Sequence, residues 1–291
     1  MNGVIIIDKP VGITSFDVIR NMRKLTNIKK IGHTGTLDPL ASGVLPVCIG
    51  KATKLSNYLM SEKKKYRAEL KLGIITDTYD REGKIISECN NFLKEEEVIQ
   101  VIKSFIGDSI QIPPMYSALK VNGKKLYELA REGIEIERKG RKISISNIDI
   151  ININLPYVTF DVECSKGTYI RSLCYDIGRM LNVGGTMWNL KRLASGHFKI
   201  EDSISLEEIN GEYITDNLIP IDEILSMEGY EKVNVTQKIE HLLSNGVRIT
   251  NAYLLKQFEN HKRYMIYNLD NDFLGLAIRN DKGLKMEILF Q

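Results

Sequence analysis

The 291 residues carry 40 Lys and Arg against 37 Asp and Glu, a net charge of +3, with 43% hydrophobic and 26% charged residues. Such a chain can form one large domain plus a small one, each with a buried core, and it is too apolar to be disordered. No run approaches the roughly 18 uninterrupted apolar residues of a membrane helix, and the four cysteines and four histidines are scattered with no C-x-x-C pair, which argues against a zinc site and for reduced thiols in a cytoplasmic protein.

In chain order, residues 3–8 (GVIIID) read as an apolar strand rather than a signal peptide, because the run is short and meets Asp8 and Lys9 at once. Ser15 is placed to cap a helix whose apolar stripe is Val18, Ile19, Met22 and Leu25. Residues 32–43 form a glycine-punctuated loop that leads into the buried-strand run VLPVCIG. From residue 66 to 72 the pattern alternates, with Tyr66, Ala68, Leu70 and Leu72 on one face and Arg67, Glu69 and Lys71 on the other. Residues 95–106 are an amphipathic helix through Val98, Ile102 and Phe105.

Pro113-Pro114 opens a polar, basic excursion to about residue 142, broken by the tight-turn signal Asn122-Gly123. Strands return at 143–153 and 158–164, and Thr168 is placed to cap a helix carrying Ile170, Leu173, Ile177 and Leu181. After about residue 225 the composition shifts. Residues 231–291 offer one short helix at 237–244, then strands RYMIYNL, FLGLAI and LKMEILF separated by turns, the spacing of a small, separate β-rich domain.

Basic clusters recur at Lys29-Lys30, Lys63-Lys64-Lys65 with Arg67, Arg138-Lys139 with Arg141-Lys142, and Lys191-Arg192. They fit a phosphate-contacting surface, but taken alone such clusters are more often solvated faces balanced by nearby acids. The densest stretch is GHTGTLDPLASGVL, residues 32–45, in which glycines let the backbone approach a ligand and Pro39 fixes the chain after Asp38. Taken alone, an Asp-Pro step is more often a plain turn, and His33 a hydrogen-bonded structural residue.

The segment GHTGTLDPLASGVLPVCIGKATK resembles the catalytic segment of the TruB family of pseudouridine synthases, with Asp38 on that family's aspartate. Lys9-Pro10, Gly12, Thr14 and Ser15 resemble its N-terminal pattern, and Lys65-Tyr66-Arg67 its lysine-tyrosine strand. PPMYSALKVNGKKLYELAREG resembles its RNA-gripping thumb, CSKGTYIRSL supplies Tyr169 and Arg171, and LKRLASGHF supplies Leu193. The motifs keep their order across residues 3–198, and the C-terminal piece is similar, through strand spacing and a few glycines, to the family's PUA module.

The resemblance implies an α+β catalytic domain over 1–225, built on a mixed, largely antiparallel sheet with flanking helices, with a thumb near 113–142 and a PUA-like RNA-binding domain over 231–291. It implies isomerisation of the uridine at position 55 in the tRNA T-arm to pseudouridine, without cofactor or metal; the oligomeric state is left open by the sequence, with a monomer favoured. Asp38, Tyr66, Arg171 and Tyr169 would be catalytic, and His33, Leu193, Lys9, Gly32 and Lys65 would meet the substrate. On that view Arg171 pairs with Asp38, Tyr66 faces the target base, and His33 fills the stack vacated by the flipped uridine. The rival readings are an RNA-binding or tRNA-folding factor without turnover, and a synthase for another RNA.

Overall fold

A computed structural model of the protein describes residues 1–290 apart from 61, 62, 92 and 122. Its centre is a ten-stranded sheet running in the order Ile204–Ser205, Gly3–Lys9, Ser42–Ile49, Gly185–Ser195, Lys64–Leu72, Tyr157–Cys164, Arg141–Asn154 and Gly107–Gln111. Two short strands complete it, Ile31–His33 against Ser42–Ile49 and Phe198–Lys199 against Gly185–Ser195. Pairing is antiparallel except at Gly3–Lys9 with Ile204–Ser205 and at Ser42–Ile49 with Gly185–Ser195. The expected α+β architecture is therefore present. Among the described residues, no helix is long and apolar enough to cross a membrane.

Why some strands read as continuous apolar runs and others alternate follows from how many faces are covered. In the first and third strands of the chain, Ile5, Ile7, Leu45 and Val47 pack under the helix Ser15–Thr26, while Val4, Ile6, Val44 and Cys48 pack on the opposite face. Both faces are dry, so both sets are apolar. Lys64–Leu72 is covered on one face only: Ala68, Leu70 and Leu72 join the core with the helices Glu95–Lys103 and Ile170–Met180. Arg67 on its other face pairs with Asp161 at 2.7 Å.

The helix Ile170–Met180 lies close on the sheet because Gly178 has no side chain; a Cβ there would fall 2.1 Å from the backbone of Gly184. Two expected caps are corrected. Thr14, not Ser15, caps the first helix: its hydroxyl accepts from the Asp17 N–H at 3.1 Å, and the Asp17 carboxylate accepts from the Thr14 N–H at 2.9 Å. Thr168 donates to the Ser165 carbonyl at 2.9 Å, and Tyr169 occupies the cap position without a side-chain bond.

The excursion near 113–142 is a small hairpin, Lys120–Val121 with Lys124–Lys125, and a short helix, Leu126–Arg131. Asn122, half of the expected turn signal, lies outside the described residues. Met115, Leu126 and Leu129 are its only buried apolar side chains clustered together among the described residues. Arg141 and Lys142 belong to the main sheet instead, opposite Gln111 and Ile110.

Residues 231–290 form a four-stranded sheet, Glu231–Asn234, Lys262–Tyr267, Phe273–Asn280 and Gly283–Leu289, with the helix Gln237–Ser244. The first of these strands is not among those expected from the sequence, and it pairs in parallel with the second. The unit has its own core, but Met265, Tyr267, Leu276 and Phe290 join a second cluster with Val4, Leu55, Ile221 and Leu225. It is thus less separate than the composition suggests.

Candidate active site

The loop of residues 34–41 leaves the short strand Ile31–His33 and enters the buried strand Ser42–Ile49, so both ends of the glycine-punctuated stretch are sheet rather than loop. The N-terminal Lys-Pro-x-Gly-x-Thr-Ser stretch buttresses it. The Ser15 hydroxyl accepts from the Leu37 N–H at 2.8 Å and donates to the Leu37 carbonyl at 3.1 Å, and the Gly12 N–H donates to the Pro39 carbonyl at 2.8 Å. Leu37, Leu40 and Ala41 are buried on either side of Asp38. The carboxylate is therefore presented from a loop whose flanks belong to the core.

Sheet register brings the other parts together. Arg192 pairs with Gly43 on one side and with Tyr66 on the other, and Tyr66 in turn pairs with Val162. Gly43 is required in that row: its φ is +104° and a Cβ would lie 2.2 Å from the Arg192 carbonyl oxygen. Over this row opens a cleft of about 740 Å³, lined by residues 34–41, Lys64, Tyr66, Thr78, Asp80, Leu190, Arg192, residues 165–171 and, from the thumb, Tyr116, Ser117, Tyr127 and Arg131. That volume suits a small-molecule-sized group such as an extruded nucleotide.

Arg171 reaches Asp38 at 2.9 Å. Its side chain is 7% exposed while that of Asp38 is 43% exposed, so a buried cation presents an open carboxylate to the cleft. Behind it stands a second carboxylate, Asp80, which no sequence motif singles out. Asp80 approaches the same guanidinium at 3.4 Å, and its other oxygen accepts from the Thr78 hydroxyl at 2.6 Å and the Glu82 N–H at 3.1 Å. Arg171 also donates to the carbonyls of Thr78 at 3.3 Å and Tyr116 at 2.8 Å. Two carboxylates and two carbonyls offset the unfavourable helix-start position of this cation.

Tyr66 and Tyr169 both line the cleft, and burial raises the pKa of each phenol above the ordinary tyrosine value. For Tyr66 the nearby Arg192 guanidinium opposes that rise. Tyr169 is fixed through its backbone, its N–H donating to the Gln111 side chain at 2.8 Å and its carbonyl accepting from it at 3.0 Å.

The remaining expected substrate residues fall outside the cleft lining. Lys9 is fully buried and its ammonium donates to the carbonyls of Pro10 at 2.8 Å and Ile13 at 2.7 Å, so it holds the N-terminal turn. Lys65 faces the opposite side of its strand and pairs with Glu163 at 3.2 Å; the period of two places Lys64 in the cleft instead. Gly32 pairs with Cys48 inside the sheet. Leu193 is half-buried away from the cleft, where Leu190 supplies the apolar wall. His33 is half-buried at the loop's root, its Nδ1 accepting from the Gly35 N–H at 3.4 Å, and burial lowers its pKa.

Comparison with known proteins identifies the family. Residues 23–170 match the family model of the TruB family pseudouridylate synthase N-terminal domain, and residues 171–226 match that of the tRNA pseudouridylate synthase B C-terminal domain. The chain is 58% identical to tRNA pseudouridine synthase B of Clostridium novyi and 54% identical to that of Clostridium acetobutylicum, covering 99% and 98% of each chain respectively. The Cbf5 chain in a Cbf5–Nop10–Gar1 complex is similar at 28% identity with a TM-score of 0.73, over 99% of this chain and 85% of that one. The family models span 204 residues without a break (23–226), together taking in the Asp38 loop, the Arg171 helix and the Arg192 strand, and the chain belongs to the TruB family of pseudouridylate synthases.

Proposed function

We propose that this synthase isomerises the uridine at position 55 in the T-arm of tRNA, with Asp38 as its essential carboxylate and no cofactor. The observation that carries the reading is the 2.9 Å pair of Arg171 with a cleft-facing Asp38, beside Tyr66. The reaction breaks the bond from uracil N1 to the ribose, turns the base and rejoins it through C5. No electrons are gained or lost overall. An ionised Asp38 serves either as nucleophile or as base, and Arg171 keeps that charge tolerable in a cleft that closes on RNA.

Tyr66 offers a flat face to the base, Tyr169 orients the loop, and Leu190 walls the pocket. His33, at the root of the loop, is assigned to the stack left by the flipped base. Arg131 and Lys166 on the rim, Lys139 on the thumb, and the PUA-like C-terminal sheet suit contacts to RNA phosphates. The enzyme is taken to work as a cytoplasmic monomer. The direct test is tritium release from C5-labelled uridine in a T-arm hairpin, with the product position mapped in full-length tRNA. Binding without release would return the chain to an RNA-binding role.

The likeness to Cbf5, whose structure is that of a multi-protein complex, favours a second reading in which partners direct the target. Relatives of 54–58% identity that bear the tRNA synthase name weigh more than one of 28%. Release of tritium by the isolated chain decides between them.

A further inference from the structure

Lys191 and Arg192 form one of the basic pairs that the sequence offers as phosphate contacts, and the structure separates them. Lys191 turns outward to Asp8 at 3.3 Å. Arg192 is 1% exposed, the largest fully buried side chain among the described residues, yet its edge meets the cleft. Among the described residues no carboxylate lies within 4.0 Å of its guanidinium. Its Nε donates to the Val44 carbonyl at 2.7 Å and its Nη2 to the Gly35 carbonyl at 3.0 Å.

Those two carbonyls stand at opposite ends of the segment that carries Asp38. One planar cation therefore ties residue 35 to residue 44, while Ser15 and Gly12 hold the segment at Leu37 and Pro39. A compact ammonium on a flexible stem cannot span the same two acceptors. A buried cation without a carboxylate is costly, and a fold that needed only two donors could use a neutral amide. The charge itself thus calls for a reason.

The groups facing Arg192 supply one. Arg192 shares the cleft with the cations Lys64, Arg131, Lys166 and Arg171 and with the carboxylates Asp38, Asp80 and Glu82, and Tyr66 is its neighbour across the sheet. With Arg192, five cations against three carboxylates leave the cleft with an excess positive charge. When the N1–C1′ bond breaks, its electron pair stays on uracil and spreads over N1 and O2. The charge persists until C5 bonds to the ribose; C5 then gives up its proton and N1 takes one up, which leaves the base neutral. A preorganised positive floor favours that separated state.

We propose that Arg192 is a positioning residue of this reaction, stapling both ends of the Asp38 segment and setting the positive potential under the departing base. The inference deepens the proposed function and rests on it. Its test is single-turnover pseudouridine formation on a T-arm hairpin by wild type, Arg192→Lys and Arg192→Ala, with tRNA binding and thermal unfolding measured alongside.

Arg192→Lys keeps the charge but gives up one of the two carbonyl bonds, and is expected to bind tRNA as wild type does while its rate falls about 100-fold, the effect of a displacement of about 1 Å. Faster amide exchange across residues 35–44 should accompany it. Arg192→Ala should fall further and recover part of its rate with added ethylguanidinium, but not with neutral ethylurea. If Arg192→Ala does not fold, the lysine variant and its exchange carry the test. A wild-type rate in Arg192→Lys, a rate loss matched by an equal loss of binding, or equal rescue by ethylurea overturns the inference. A wild-type protein that releases no tritium overturns the proposed function instead.

Discussion

The Asp38 loop and the thumb both line the cleft, but they are held in different ways. The loop is short, and Thr34, Leu37, Leu40 and Ala41 are buried in it, with hydrogen bonds to Ser15 and Gly12 of the N-terminal stretch and to Arg192 of the central sheet. The thumb is anchored at its root by Arg138 donating to the Pro113 carbonyl and by Tyr116 accepting from Arg171, and among the described residues its own apolar cluster has three buried side chains, Met115, Leu126 and Leu129. The loop proposed to carry the chemistry shares the packing of the domain, whereas the part proposed to grip RNA is a satellite expected to open without unfolding the rest.

The largest effect should come from the loop. Asp38→Asn should bind tRNA normally and form no pseudouridine in single-turnover assays; substantial turnover would remove the central assignment. Next, Arg171→Lys keeps a charge but loses the planar fork that spans Asp38, Asp80 and two carbonyls. A rate loss of about 100-fold or more is expected, and a wild-type rate would mean that the ion pair is incidental.

Stability sharpens the same contrast. Leu40→Ala should lower global stability by about 2–5 kcal/mol in urea unfolding. Leu126→Ala should instead disorder the thumb, seen as faster proteolysis there, with the main transition little changed. Equal shifts would show that the two regions unfold as one.

A smaller effect concerns charge on the thumb and on the sheet strand that follows it. Arg138 is committed to Pro113 and Glu135, so neutralising Lys139, Arg141 and Lys142 is the cleaner test. The slope of log binding against log salt should shrink by up to about 0.7–0.9 for each phosphate that is no longer neutralised. An unchanged slope would make them a solvated face.

The smallest is a pH effect beneath the loop. Burial lowers the Lys9 ammonium from 10.5 to about 8. Below pH 8 it is charged in both folded and unfolded chains, and the burial cost is present. Between pH 8 and 10.5 the unfolded chain holds the proton that the folded one has released, so stability rises with pH. Comparing wild type with Lys9→Met by urea unfolding at pH 8 and pH 10 should reveal that rise only in wild type.

Most of the elements and the identity of the central residues were legible in local sequence. Period-two alternation at 66–72 put Tyr66 inward, apolar runs marked strands covered on both faces, and the ordered motifs carried Asp38, Tyr66, Tyr169 and Arg171 to one family. The same motifs also named Lys9, Gly32, Lys65 and Leu193, which belong to them but lie outside the cleft lining. Position in a motif says that a residue matters, while its direction depends on strand register and on a bulge between Arg192 and Ala194 that no local pattern encodes. It took the assembled sheet to put Asp80, 42 residues after Asp38, behind the same guanidinium, and to make Arg192 a staple of the loop rather than a solvent-facing charge. Both depend on pairings between segments 91 to 157 residues apart, set by packing of the whole sheet rather than by the propensity of any one stretch.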